Sequence, residues 1–227
     1  MQLGNLRTDV IHSINGPILG PQLLGLPRCP HCSIASPSLI VVWKSDGLTP
    51  RTDGGQRQSW AAYRCASCGS IVTCRADMQP NSTAVVYSGL FPAGKTAHED
   101  IPEPARTFLQ QAFETLHAPD AAAVMSGSAV DSMLKAHGLV DGSVYSRIDE
   151  ALNKNILTKG MAEWAHAVRL GANRPRHADK EKPHVSPDEA KQSVGFAEAL
   201  GNFLFVLSAR VDRGLKAATG GAASAKP

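Results

Sequence analysis

Cys29-Pro30-His31-Cys32 and Cys65-Ala66-Ser67-Cys68 are two CxxC pairs with 32 residues between them. Each pair can fold into a tight knuckle whose two sulfurs point at one tetrahedral centre. Four thiolates at about 2.3 Å are a ligand set that zinc takes in closed sites. With no coordination position left open, such a site is structural, and metal binding supplies on the order of 10 kcal/mol of folding free energy to a small lobe. Zinc on Cys29, Cys32, Cys65 and Cys68 is therefore the expected cofactor; the alternative is four buried or unpaired cysteines. His31 reads as a neighbour of the site rather than a ligand, and so does the fifth cysteine, Cys74.

Working outward, the residues around the pairs read as strands. Leu39–Trp43 (LIVVW) is an apolar run rich in β-branched side chains, and Trp60–Arg64 and Ser70–Thr73 flank the second pair with strand composition. The polar segment Lys44–Ser59 reads as a loop. Upstream, Gly and Pro interrupt residues 1–28 repeatedly, so regular structure there is expected to be brief.

Downstream, Pro92, Gly94, Lys95, His98, Glu99, Asp100 and Pro102 give residues 91–104 linker composition. Beyond it the apolar period changes to that of helices. Ala105, Phe108, Leu109, Ala112, Phe113 and Leu116 fall on one helical face, with Pro104 suited to the first turn. A second helix is expected over about 120–137 with Met125, Val130, Met133 and Leu134 inward, Gly127 weakening its middle and Gly138 stopping it. Val144, Ile148 and Leu152 mark a third helix, and Met161, Trp164, Ala165, Val168 and Ala172 line a fourth. Ser186-Pro187-Asp188-Glu189 is a capping box that starts a fifth, whose stripe runs Ala190, Val194, Ala197, Leu204, Leu207 and Val211.

The expected fold is therefore α+β and multi-domain: a small β-rich zinc ribbon, then an all-α bundle of about five helices. The ribbon and its N-terminal segment occupy 1–95, the bundle 100–213, and a disordered Gly/Ala/Ser tail 214–227.

Composition excludes several classes. Hydrophobic content of 43% rules out a long disordered chain, and 5% aromatics favour helices packed through aliphatic side chains. The net charge of +3 is mild and alone does not argue for nucleic acid. No apolar run reaches the roughly 18 residues of a membrane span, and the N-terminal residues lack a basic segment followed by an apolar core. Paired CxxC spacing with one odd cysteine suits a reducing compartment. A soluble, cytoplasmic protein is expected.

Basic residues cluster at Arg169, Arg174, Arg176, Lys180 and Lys182. If the fourth helix runs that far, Arg169, Asn173 and His177 follow one another in steps of about 40° along its flank, with His166 on the same side. Gly171 and Pro175 work against that continuity. Two readings stay open. An imidazole beside guanidinium groups and an amide can perform acid–base chemistry on a phosphodiester. The same residues can also be a solvated helix end capped by basic side chains.

The alanine-rich AAAVMSGSAVDSML (121–134), RIDEAL (147–152), RLGANRPRH (169–177) and the SPDEA start of the last helix (186–190) resemble domain-of-unknown-function family 4145. That family is a HEPN-like (higher eukaryotes and prokaryotes nucleotide-binding) helical domain, often preceded by a zinc ribbon. The resemblance implies a homodimer through the helical domain, an RNA or protein partner, no membrane, and a setting such as phage defence or a toxin–antitoxin pair. Active members of the superfamily are metal-independent ribonucleases. By similarity Asn173 and His177 occupy the Asn and His of their motif. Ala172 stands directly before Asn173, so the catalytic arginine is Arg169 or Arg174, with Arg174 and Arg176 as nucleic-acid contacts. Gly127-Ser128 stands where the family usually has an arginine, and Asp131 where it usually has Glu. A binding module and a nuclease using Arg169, Asn173 and His177 are the two expectations.

Overall fold

The computed structural model of the chain describes residues 18–78, 85–177 and 180–223. The chain divides into two compact units, residues 1–94 and 95–227. The first is a small antiparallel sheet carrying a four-cysteine cluster and the second is helical, an α+β layout.

In the first unit LIVVW becomes β3 (Leu39–Lys44), paired with β4 (Ser59–Cys65), which pairs in turn with β5 (Ile71–Met78). Arg64 lies opposite Ile71, so the second CxxC pair falls in the β4–β5 turn. Three strands go beyond the sequence reading. β6 (Val85–Phe91) flanks β5, and the two-residue strands β1 (Ile18–Leu19) and β2 (Leu23–Leu24) complete the order β2-β1-β6-β5-β4-β3. Two-residue strands are too short to show a period, and Gly89 interrupts the apolar pattern of β6.

The sheet curls on itself. Gln22 bridges Ile40, and the Val41 N–H donates to the Pro21 carbonyl at 3.0 Å, which brings β2 against β3. Alternation along each strand puts Leu23, Leu39, Tyr63, Val72, Cys74 and Leu90 on the enclosed face. There the Tyr63 hydroxyl donates to the Gly20 carbonyl at 3.1 Å, and burial pushes its phenol up to about 12.

The second unit holds α1 (Ala105–Glu114), α2 (Pro119–Ala136), α3 (Val144–Asn153), α4 (Lys159–His177) and α5 (Pro187–Gly201). α5 continues through a π-helical turn (Asn202–Val206) into α6 (Leu207–Ala223). The capping box is formed: Ser186 Oγ accepts from the Glu189 N–H at 3.2 Å, and Glu189 Oε2 accepts from the Ser186 N–H at 2.9 Å. The core gathers Leu109, Phe113, Val130, Met133, Ile148 and Phe196.

Three expectations are corrected here, and one left open is decided: α4 runs to His177 despite Gly171 and Pro175. Pro175 lies in its last turn, where one missing N–H leaves only the Gly171 carbonyl without its usual donor. Trp164 is 45% exposed, its ring lying 5.0 Å from Phe196, and Ala162 takes the inward position. Leu207 and Val211 are 54% and 52% exposed, because the helix runs past the core: residues 210–219 are all exposed, whichever face they occupy. The segment from Gly214 to Ala223 is helical, in keeping with its alanines, and 224–227 lie outside the described residues.

The helix from Pro187 to Thr219 is also long and apolar enough to cross a membrane, with a window of mean hydropathy 1.4, although no such run was expected. Ala190, Val194, Ala197 and Leu200 nonetheless spend much of that apolar surface in the core of the unit.

Gly127 does not break α2. A Cβ built on it would lie 2.7 Å from Ala172 Cβ, so its hydrogen lets α2 and α4 approach. Helix propensity alone would make Gly127→Ala stabilising by up to about 1 kcal/mol. The contact reverses the sign, and we expect a loss of about 1–3 kcal/mol in the denaturant midpoint of the helical unit. A midpoint that rises instead would mean the two helices separate at no cost.

Candidate functional site

The two CxxC pairs form two separate turns with the same backbone hydrogen-bond pattern. In the first, the Ser33 N–H donates to the Cys29 carbonyl at 2.9 Å and the Cys29 N–H to the Ile34 carbonyl at 3.1 Å. In the second, Gly69 donates to Cys65 and Cys65 to Ser70, both at 2.9 Å. The residue after each second cysteine is left-handed, Ser33 at φ 59° and Gly69 at φ 74°. Gly69 adopts that conformation freely, whereas Ser33 bears a cost of roughly 1–2 kcal/mol that the surrounding knuckle must hold.

These turns bring the Sγ atoms of Cys29, Cys32, Cys65 and Cys68 within 4.8 Å of one another. None is in a disulfide. A tetrahedron with metal–sulfur bonds of about 2.3 Å has edges of about 3.8 Å, so a small contraction would let the set hold an ion. The donor set therefore fits a metal such as zinc, with all four positions supplied by the protein.

Cys29 and Cys65 are buried, Cys32 is half-buried and Cys68 exposed. Burial pushes the Cys32 thiol up to about 12. Burial also opposes ionisation at Cys68, but hydrogen bonds from the Ser70 hydroxyl and backbone, and from Cys32 and Cys65, hold it down at about 6. His31 is not in the cluster: its Nε2–H donates to the Ile71 carbonyl at 2.9 Å, tethering the first knuckle to the start of β5. The Arg28 guanidinium donates to the Ser33 carbonyl at 3.1 Å, bracing the same turn. Cys74 lies on the enclosed sheet face, where burial pushes its thiol up to about 11.

In the helical unit the polar edge of α4 divides. Arg169 turns toward α3: its guanidinium lies 5.3 Å from the Tyr145 ring centroid, and its Nε is buried without a partner. It lines a small cavity with Gly127, Val144, Asn173 and Arg176, where Arg176 Nη2 donates to Ser128 Oγ at 2.9 Å. Asn173, Arg174 and His177 line a separate open groove of about 580 Å³ with Lys182 and Glu189. Only Asn173 reaches both. In the groove Glu189 accepts from Arg174 at 3.0 Å and from Lys182 at 2.7 Å. Hydrogen bonds from Lys182, from the Ser186 backbone and from Arg174 hold its carboxyl well below the usual range. The two cations that line the groove with His177 are thus already matched by a resident anion.

Two clusters escaped the sequence reading. Arg147 is 5% exposed; it pairs with Asp131 and donates to the Val140, Asp141 and Gly142 carbonyls. His166 Nε2 lies 3.0 Å from Asp149 Oδ1, its ring 4.7 Å from that of Tyr145. The partners in each cluster are 16 or 17 residues apart on different helices, a separation that carries no sequence signature.

Residues 109–217 match the family described as Domain of unknown function (DUF4145), so the stretch from within α1 into α6 is similar to that family. No curated protein and no solved structure matches the chain.

Proposed function

We propose that this chain is a zinc-stabilised nucleic-acid-binding protein whose helical unit performs no chemistry. The observation that carries the reading is the closed four-sulfur cluster, which leaves a bound ion no free position for a substrate and so makes its role structural. The zinc ribbon then serves to hold the curled sheet rigid, and recognition falls to the surfaces it holds.

Two features of α4 support a catalytically silent helical unit. Arg169 and His177 line different cavities, so they do not converge on one phosphate. Arg174 is engaged by Glu189, which would repel an incoming phosphodiester. The HEPN-type ribonuclease remains the second reading because Asn173, Arg174 and His177 do share one groove.

Purified protein, analysed for metal and incubated with labelled single-stranded RNA in the absence of added metal, separates the two. The expected result is one zinc per chain, binding that weakens as salt rises, and intact RNA. Cleavage that disappears in His177→Ala would replace this reading with the ribonuclease.

A further inference from the structure

The register of the sheet sorts one set of side chains onto its outer face. Ile40 lies opposite Arg64 and Arg64 opposite Ile71; Trp43 opposite Ala62, Ala62 opposite Thr73 and Thr73 opposite Phe91; Trp60 opposite Arg75 and Arg75 opposite Gly89. Directly paired residues share a face, and here the face is the one turned away from the enclosed core. Trp43 is 56% exposed, Phe91 47% and Ile71 45%. Three aromatic rings and two guanidinium groups thus share one surface.

Their arrangement is that of a stacking platform. The Trp60 and Phe91 ring centroids are 5.9 Å apart, tilted by 31°. A Cβ on Gly89 would meet the Phe91 ring at 3.3 Å and Arg75 Nε at 3.4 Å, so both groups lie over a backbone kept bare by glycine. Arg75 Nε is buried and has no hydrogen-bond partner, a donor left open. Neither Arg64 nor Arg75 has an ion-pair partner among the described residues. Residues 1–94 carry seven Arg or Lys against four Asp and no Glu, so the whole net charge of +3 sits in this unit. Zinc held by four thiolates would lower that by about two and leave it positive.

We infer that this outer face, with Trp43, Trp60 and Phe91 as base-stacking rings and Arg64 and Arg75 as phosphate contacts, is a binding site for single-stranded nucleic acid. The inference rests on the nucleic-acid-binding reading above and assigns it a surface. Every base has a π-face, so aromatic stacking accepts a single strand without a fixed sequence, while the arginines supply the salt-dependent attraction. A duplex hides its base faces and gains only the electrostatic part.

The test uses the zinc-loaded full chain and fluorescein-labelled oligo(dT) and oligo(rU), followed by anisotropy from about 50 mM salt upward. Phe91→Ala and Trp43→Ala are expected to weaken binding by about 5- to 150-fold. Arg64→Gln is expected to reduce the slope of log affinity against log salt by about 1. Zinc content and far-ultraviolet circular dichroism, compared with the parent chain, identify variants that keep their fold, and Trp43→Ala, the most exposed ring, is the one least apt to disturb it. If the parent chain binds and folded variants bind equally well, the face is wrong although the chain binds nucleic acid. If the parent chain binds neither oligonucleotide, the nucleic-acid reading itself falls. Capture of a protein partner that Phe91→Ala abolishes, with no oligonucleotide binding, would give the face to a protein and overturn the assignment.

Discussion

Stripping the metal with a strong chelator is expected to unfold the first unit and leave the second folded. Among the described residues, the enclosed face of the sheet is built on nine clustered buried residues, and two of them, Cys29 and Cys65, are themselves sulfur donors. The rest are Leu23, Leu39, Ala61, Tyr63, Val72, Cys74 and Leu90, too few apolar side chains to offset the ordering of so long a segment. A four-thiolate zinc site supplies on the order of 10 kcal/mol, and its loss exceeds the whole stability that such a small unit can otherwise hold. Chelation, or Cys29→Ser at a position 1% exposed, should therefore abolish the near-ultraviolet signal of Trp43 and Trp60. The helical band in the far ultraviolet should persist, since every α-helix lies in residues 95–227 among the described residues. A protein that keeps its tryptophan signal and melting profile after chelation would reduce the cluster to four neighbouring thiols.

What the sequence displayed openly was local chemistry. Two CxxC pairs announce a four-sulfur site because the knuckle is made by consecutive residues, and Ser186 with Glu189 announces a helix start because the capping box spans only four. Helical stripes were legible wherever the helix lies against one side of the core, as in Leu109, Ala112 and Phe113. Illegible features depend on what lies across the gap. Gly127 reads as a weak point in α2 until Ala172 is seen against it. Pro175 reads as a stop until it is seen to fall in the last turn of α4.

The candidate site shows the same division. The spacing of Arg169, Asn173 and His177 places them along one edge of α4, and a continuous helix keeps them there. Their partners decide where each points, and those come from elsewhere: Tyr145 draws Arg169 toward α3, and Glu189 holds Arg174 in the groove beside α5. The end of the core after Val206 is equally hidden, because the apolar stripe continues through Leu207 and Val211 although the core no longer reaches them.

Arg147→Ala is expected to cost the helical unit about 3–5 kcal/mol, because it breaks a buried ion pair by removing one partner. The Arg147 side chain is 6% exposed and that of Asp131 19%. Its guanidinium does two things at once. Nε donates to Asp131 at 2.9 Å, joining α3 to α2, and Nη1 donates to the Gly142 carbonyl at 2.6 Å, with Val140 and Asp141 at 3.4 and 3.3 Å. That connection needs Gly138 at φ 92° and Gly142 at φ 73°, so the arginine satisfies carbonyls in a turn that has few other donors. Truncation leaves the carbonyls unpaired and Asp131 with only Lys135, at 2.7 Å, for a partner. Two further variants locate the cost. Asp131→Asn keeps hydrogen-bonding capacity and should lose less than Arg147→Ala. Pairing Arg147→Met with Asp131→Leu removes both charges, and should recover most of what the single truncation loses if the orphaned charge dominates. If the double variant is as unstable as Arg147→Ala, the loss lies in the turn carbonyls, and Arg147 acts chiefly as the cap of the α2–α3 connection. A midpoint for Arg147→Ala within about 0.5 kcal/mol of the parent would rule out both accounts, since changes of that size are typical of exposed positions without partners.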